Sequence, residues 1–149
     1  VNFIWNHTSE YVVTGIESGD AVDFAGEVLN PDDRANLNLS YGYEDWNFTW
    51  RMRYWASSVD SVEGNNYNFT NYAPLEEYNE FPSVIYHDVS ASYAISDDMN
   101  ISLVVRNAFD KEPPVANQSS VNGGTGINTV SEAYDVTGRY MQASFTARF

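Results

Sequence analysis

Apolar and polar residues alternate with period 2 along much of this chain, most cleanly at its end. From Arg139 onward, Met141, Ala143, Phe145, Ala147 and Phe149 fall on one face, and Tyr140, Gln142, Ser144, Thr146 and Arg148 on the other. Successive side chains of a strand point to opposite sides of its sheet, so the pattern predicts a strand with one apolar and one polar face. Upstream, Met99, Ile101, Leu103, Val105 and Phe109 oppose Asn100, Ser102, Val104, Arg106 and Ala108, with Asn107 interrupting the apolar row. Val89, Ala91, Tyr93 and Ile95 oppose Asp88, Ser90, Ser92 and Ala94. Trp46, Phe48, Trp50, Met52 and Tyr54 oppose Asn47, Thr49, Arg51, Arg53 and Trp55, and Ala35, Leu37, Leu39, Tyr41 and Tyr43 oppose Arg34, Asn36, Asn38, Ser40 and Gly42. With the weaker alternation from Val1 to about Thr8, this predicts six strands.

The connections alternate between very short and very long. Glu44-Asp45 and Ser96-Asp97-Asp98 read as tight turns, whereas residues 9–33, 58–82 and 110–138 are long connections. Unstructured loops of that length are uncommon inside compact soluble domains. Short turns at one end and long loops at the other are the pattern of an outer-membrane barrel. A strand of about 11 residues at about 3.3 Å each, tilted near 45°, rises roughly 25 Å, the height of the apolar band in such barrels. The expected fold is therefore all-β, an antiparallel transmembrane β-barrel segment. Tyr41, Tyr43, Trp46, Tyr93 and Phe149 then form an aromatic band near the short turns, and Tyr54, Tyr86 and Phe109 one near the long loops.

Charge sorts along the same axis. The chain carries 21 acidic and 7 basic residues, a formal net charge of −14. The long connections hold 16 of the acidic residues and, of the basic ones, Lys111 alone. Arg34, Arg51, Arg53, Arg106 and Arg148 take the polar strand faces, clear of lipid, where a charge at the bilayer midplane would cost about 2–4 kcal/mol.

Composition removes several function classes. A net charge of −14 leaves phosphate without the cations it needs, so no nucleic-acid partner is expected. The absence of Cys excludes disulfides, thiolate metal sites and cysteine nucleophiles. No apolar run is long enough for a helical span, and the first residues lack a signal-peptide pattern. Asn6, Asn38, Asn47, Asn68, Asn100 and Asn117 begin Asn-x-Ser/Thr triplets, but Asn38, Asn47 and Asn100 do so simply because a polar strand face repeats every second residue. His7 and His87 lie in no metal-ligand spacing, and Gly123-Gly124-Thr125-Gly126 has neither the Lys nor the strand-to-helix setting of a phosphate loop. No catalytic constellation appears, so the chain is not expected to be an enzyme and implies no cofactor.

The run Arg106-Asn107-Ala108-Phe109-Asp110-Lys111-Glu112-Pro113-Pro114, the preceding Tyr86-His87-Asp88-Val89-Ser90-Ala91-Ser92-Tyr93, and the final strand from Gly138-Arg139 to Phe149 resemble the C-terminus of TonB-dependent outer-membrane receptors. The resemblance spans essentially the whole chain, with Ala108 standing where that family usually has Leu. It implies that residues 1–149 are the C-terminal part of a larger barrel of about 22 strands, without its plug domain. It further implies a location in a Gram-negative outer membrane, with lipid and lipopolysaccharide around the wall. Phe149 would be the signal read by the barrel assembly machinery. The function implied is uptake of a scarce small-molecule ligand such as an iron complex, cobalamin or oligosaccharide, energised through TonB and gated by the plug.

Within that picture the long loops form an outer vestibule. Tyr67, Phe69, Tyr72, Tyr78 and Tyr134 are candidates to stack on a flat ligand, against the alternative of packing loop on loop. Arg51, Arg53, Arg106 and Arg148 are candidates to face the lumen and hold plug carboxylates, against pairing with strand neighbours such as Asp88. The acidic loops offer oxygen ligands to Ca²⁺ but no Asp-x-Asp-x-Asp-Gly spacing, and solvation is the simpler reading. Other architectures compete: a different barrel, either a passive porin or a small eight-stranded one lacking its first strands, and a soluble carbohydrate-binding β-sandwich, whose inner faces would favour Val, Ile and Leu.

Overall fold

The computed structural model describes residues 1–15, 21–60, 80–116 and 128–148. Among them are ten strands and no helix: β1 (Asn2–His7), β2 (Val12–Thr14), β3 (Ala21–Asp23), β4 (Asp33–Tyr43), β5 (Trp46–Trp55), β6 (Ser58–Val59), β7 (Glu80–Phe81), β8 (Val84–Ser96), β9 (Met99–Arg106) and β10 (Tyr140–Ala147). The fold is all-β and antiparallel. Six strands form one sheet in the order β1-β4-β5-β8-β9-β10, a meander that leaves β1 and β10 as its edges. β2 pairs with β3 and β6 with β7, adding two short ladders inside the first two long connections.

Register keeps like residues opposite like. One row crosses the sheet as Leu39–Trp50–Val89–Val105–Met141, the next as Tyr41–Phe48–Ala91–Leu103–Ala143, and a third as Tyr43–Trp46–Tyr93–Ile101–Phe145. The opposite face reads Ser40–Thr49–Ser90–Val104–Gln142 and Gly42–Asn47–Ser92–Ser102–Ser144. A slip of one residue would carry every side chain to the wrong face, so the pattern pins the pairing. Two tight turns lock it further. Glu44 takes a left-handed φ of 50° between β4 and β5, and a bulge between Ala94 and Ser96 absorbs one extra residue of β8.

The two faces are covered in the reverse of the usual order for a soluble protein. On the apolar face, Phe145 is 61% and Leu103 48% exposed, and Phe3, Trp5, Tyr41, Phe48 and Val89 are exposed as well. The buried cluster is instead on the polar side, at the end bearing the long connections. There Val84 and Tyr86 rise from β8 and meet Val28, Phe81, Ala116, Val130, Ala133 and Tyr134, with Trp55 of β5 packed alongside. All three long connections thus fold inward over one end of the polar face.

Tyr86 does not sit in an outward aromatic band as its neighbours suggest. It stands opposite Arg53 on the polar face and is 1% exposed, because the loop cluster closes over it. Phe109 does lie on the apolar side, edge-on to His87 at 5.0 Å.

Candidate functional site

Chemistry-bearing side chains collect on the polar face, where β5, β8, β9 and β10 rise to meet the third connection. Its organising group is Asp88 of β8. Arg53, its diagonal neighbour on β5, donates from Nε to Asp88 Oδ2 at 3.1 Å and from Nη2 to Oδ1 at 3.2 Å. The backbone N–H of Asn107 donates to the same Oδ1 at 3.0 Å. Arg53 also reaches Asp135 Oδ2 at 3.5 Å and lies 5.1 Å over the Tyr86 ring. One guanidinium therefore ties the sheet to the third connection, and the pairs are partly shielded, with 26% of the Arg53 side chain and 14% of the Asp88 side chain exposed.

The turn after β9 is built by Asn107, which is fully buried with a left-handed φ of 47°. Its side chain closes a ring with Lys111, donating from Nδ2 to the carbonyl at 3.0 Å and accepting the N–H at Oδ1 at 2.8 Å. Asn is among the few residues with a side chain that tolerate this backbone region. The return strand is anchored by Asp110, which accepts the Arg139 N–H at 2.8 Å. Gly138, with φ 71°, fits beside it because an added Cβ would lie 3.2 Å from Asp110 Oδ1. Asp135 is held in turn, its N–H donating to the Tyr86 hydroxyl at 3.2 Å and its Oδ1 accepting from the Thr137 N–H at 3.1 Å.

The candidate arginines divide. Arg53 takes the strand-neighbour pairing with Asp88, and Arg51 donates to Asn38 Oδ1 at 2.8 Å. Arg106 is exposed and its guanidinium has no ion pair or hydrogen bond among the described residues. The same holds for the side chain of Arg148, whose backbone N–H extends the ladder to the Asp98 carbonyl at 3.0 Å. Tyr134 packs loop on loop: its ring is 3% exposed and meets Phe81 at 5.9 Å between centroids, leaving no face for a ligand. Burial pushes its phenol pKa up, and the nearby Ser58 hydroxyl offsets part of that, although neither hydroxyl reaches full hydrogen-bond geometry. Tyr67, Phe69, Tyr72, Tyr78 and Phe149 lie outside the described residues.

Clefts lined by described residues open at this end. One, of about 570 Å³, lies between the first two connections, with Asp32 and Glu80 as its charged lining groups and Ser57, Val59 and Pro82 beside them. Another, of about 390 Å³, is lined by Arg106, Tyr140 and Gln142 from the sheet and by Asp135, Thr137 and Gly138 from the third connection. Among the described residues, no three His, Asp or Glu side chains are grouped to hold a metal.

On the apolar face two of the indole N–H groups find partners within the sheet. Trp50 Nε1 donates to His87 Nδ1 at 3.2 Å with the rings 7° from parallel. Trp5 Nε1 donates to Asp33 Oδ1 at 2.9 Å, beside His7 Nδ1 at 2.9 Å from the same oxygen. Sequence reading missed Asp135, Tyr86 and Asn107 as a network. The one local signal was the break that Asn107 makes in the apolar row.

No protein-family model, no curated protein and no solved structure matches the chain.

Proposed function

We propose that this chain is part of the wall of a transmembrane β-barrel of a Gram-negative outer membrane, belonging to a receptor that takes up a small ligand by TonB-energised transport. The observation that carries the reading is the pairing of an uncovered, aromatic-rich apolar face with a buried cluster on the polar side. Water makes an uncovered apolar face unfavourable at roughly 25 cal/mol per Å², whereas lipid makes it the stable choice. The polar face, with its serines, threonines and arginines, then lines the lumen, and the inward-folded connections narrow its outer mouth. The two open edges, β1 and β10, are completed by further strands, since an exposed edge is a site of uncontrolled pairing.

Energised receptor uptake in particular is supported by the resemblance of the chain to that family, carried by residues 86–93, 106–114 and 138–149, and by a third connection strapped to the wall. In this reading Arg106 and Arg148 face the lumen, and lipid and lipopolysaccharide surround the wall. A porin would share the wall but conduct passively.

The test uses tryptophan position. In protein reconstituted into vesicles whose acyl chains carry bromine, single-tryptophan variants retaining Trp50 are quenched and those retaining Trp55, on the opposite face, are not. Equal quenching of both, or a protein that stays monomeric in buffer without detergent, would overturn the barrel. Ligand uptake by whole cells that persists after collapse of the proton-motive force would overturn energised transport and leave the porin.

A further inference from the structure

We propose that the cleft between β9, β10 and the third connection binds a small zwitterion, of the amino-acid or short-peptide class, with its carboxylate on Arg106 and its ammonium on Asp135. The carrying observation is that two opposite charges line one cleft of about 390 Å³ without pairing with each other. The ion pairs of Asp135 and its neighbours go elsewhere: Arg53 takes Asp88 and Asp135, and Arg139 takes Asp110. Among the described residues Arg106 is left without an ion-pair partner, although it lines the same space as Asp135.

The cleft is also built rather than incidental. Asp135 is fixed from three sides, by Tyr86, Thr137 and Arg53. Gly138 is seated against Asp110, and Arg106 and Tyr140 face each other across the β9–β10 ladder. The volume suits a ligand of modest size. Thr137, Tyr140 and Gln142 add two hydroxyls and an amide for the backbone polar groups of a peptide.

Charge selects the class. Arg53 and Arg106 together balance Asp88 and Asp135, so the site is neutral overall and a ligand with no net charge leaves it so. The chain as a whole carries −14, and its long connections are strongly acidic, which repels a free anion at the mouth. A zwitterion approaches without that penalty and satisfies both cleft charges at once. Arg presents a planar fork that matches a carboxylate with two parallel hydrogen bonds.

The proposal gives a ligand class to the transport reading but does not need it for binding. The experiment is equilibrium binding to the detergent-solubilised protein with three related probes: Ala-Ala, its C-terminal amide with only the ammonium, and its N-acetyl form with only the carboxylate. Ala-Ala binds at least about tenfold tighter than either half-charged probe, as expected for one added charge-assisted contact. Arg106→Gln brings Ala-Ala down to the affinity of the amide and leaves the amide unchanged, a pattern that general disruption would not give. Should Arg106→Gln fail to fold, Arg106→Lys, which keeps the charge and loses the fork, lowers Ala-Ala binding several-fold and spares the amide. Equal affinity for all three probes, no binding of Ala-Ala at millimolar concentration, or an equal fall for all three in the variant would overturn the proposal. Tryptophan quenching on the same preparation reports the barrel separately, so either idea can fail alone.

Discussion

Replacing Asn107 tests whether one buried side chain holds the third connection in place. Asn107→Ala removes two hydrogen bonds to the Lys111 backbone, worth about 1 kcal/mol each. It also asks Ala to adopt a φ of 47°, at a cost of roughly 1 kcal/mol. The expected loss is therefore about 3 kcal/mol, before any contribution from the space a fully buried side chain vacates. Asn107→Gly frees the backbone but not the hydrogen bonds, and falls about 1 kcal/mol short of the Ala loss. Asn107→Asp keeps the acceptor for the Lys111 N–H, loses the donor, and sets a second carboxylate near Asp88. Urea unfolding of the reconstituted protein, followed by tryptophan fluorescence, gives the three values. A loss below about 0.5 kcal/mol for Asn107→Ala, the scale of an ordinary surface change, would refute the reasoning. So would an Asn107→Gly variant less stable than Asn107→Ala.

Three further outcomes are expected. Leu103→Arg, on the bare face, destabilises the protein in bilayers by about 2–4 kcal/mol, while Ser90→Arg on the other face stays within about 1 kcal/mol, measured by the same unfolding. Arg53→Met leaves Asp88 and Asp135 without their guanidinium, and limited proteolysis then cuts within residues 128–138 faster than in the parent. Asp23 accepts the N–H groups of Ala25 and Tyr11, which hold its carboxyl below the ordinary carboxylate range. Its folded pKa is depressed, so its contribution is present above the unfolded value of about 3.9 and is lost as pH falls through the folded one. Amide exchange at Tyr11 and Ala25 accordingly quickens, beyond the intrinsic acid rate, as the solution is acidified below that range, and Asp23→Asn removes the pH step.

The six main strands were legible because a two-sided sheet repeats its chemistry every second residue and because tight turns separate β4 from β5 and β8 from β9. The pairing of Trp50 with Val89 and of Leu103 with Ala143 follows from that pattern almost unaided. The loop cluster was not legible in the same way. Val84-Ile85-Tyr86-His87 is apolar or aromatic on both faces, so alternation gives no side, and Tyr86 was read outward when it points in. Val130, Ala133 and Tyr134 have no period, because a loop packs wherever its backbone happens to bring it. The β2–β3 and β6–β7 ladders are too short for periodicity to register. The cleft beside Arg106 needed three-dimensional information of another kind, namely which carboxylates other cations had already taken.

The buried cluster has a consequence for the order in which the molecule assembles. Its members come from positions as far apart as Val28 and Tyr134, and two of them, Val84 and Tyr86, are presented by a central strand. Contacts between distant parts of a chain form slowly because the intervening loops must close first. The hairpins β4–β5 and β8–β9 join neighbours and can pair early, each directed by its own turn. The loop cluster has no surface to close on until β5 and β8 are aligned, so it is the last part to take shape, and a pause in strand pairing leaves it open to proteases.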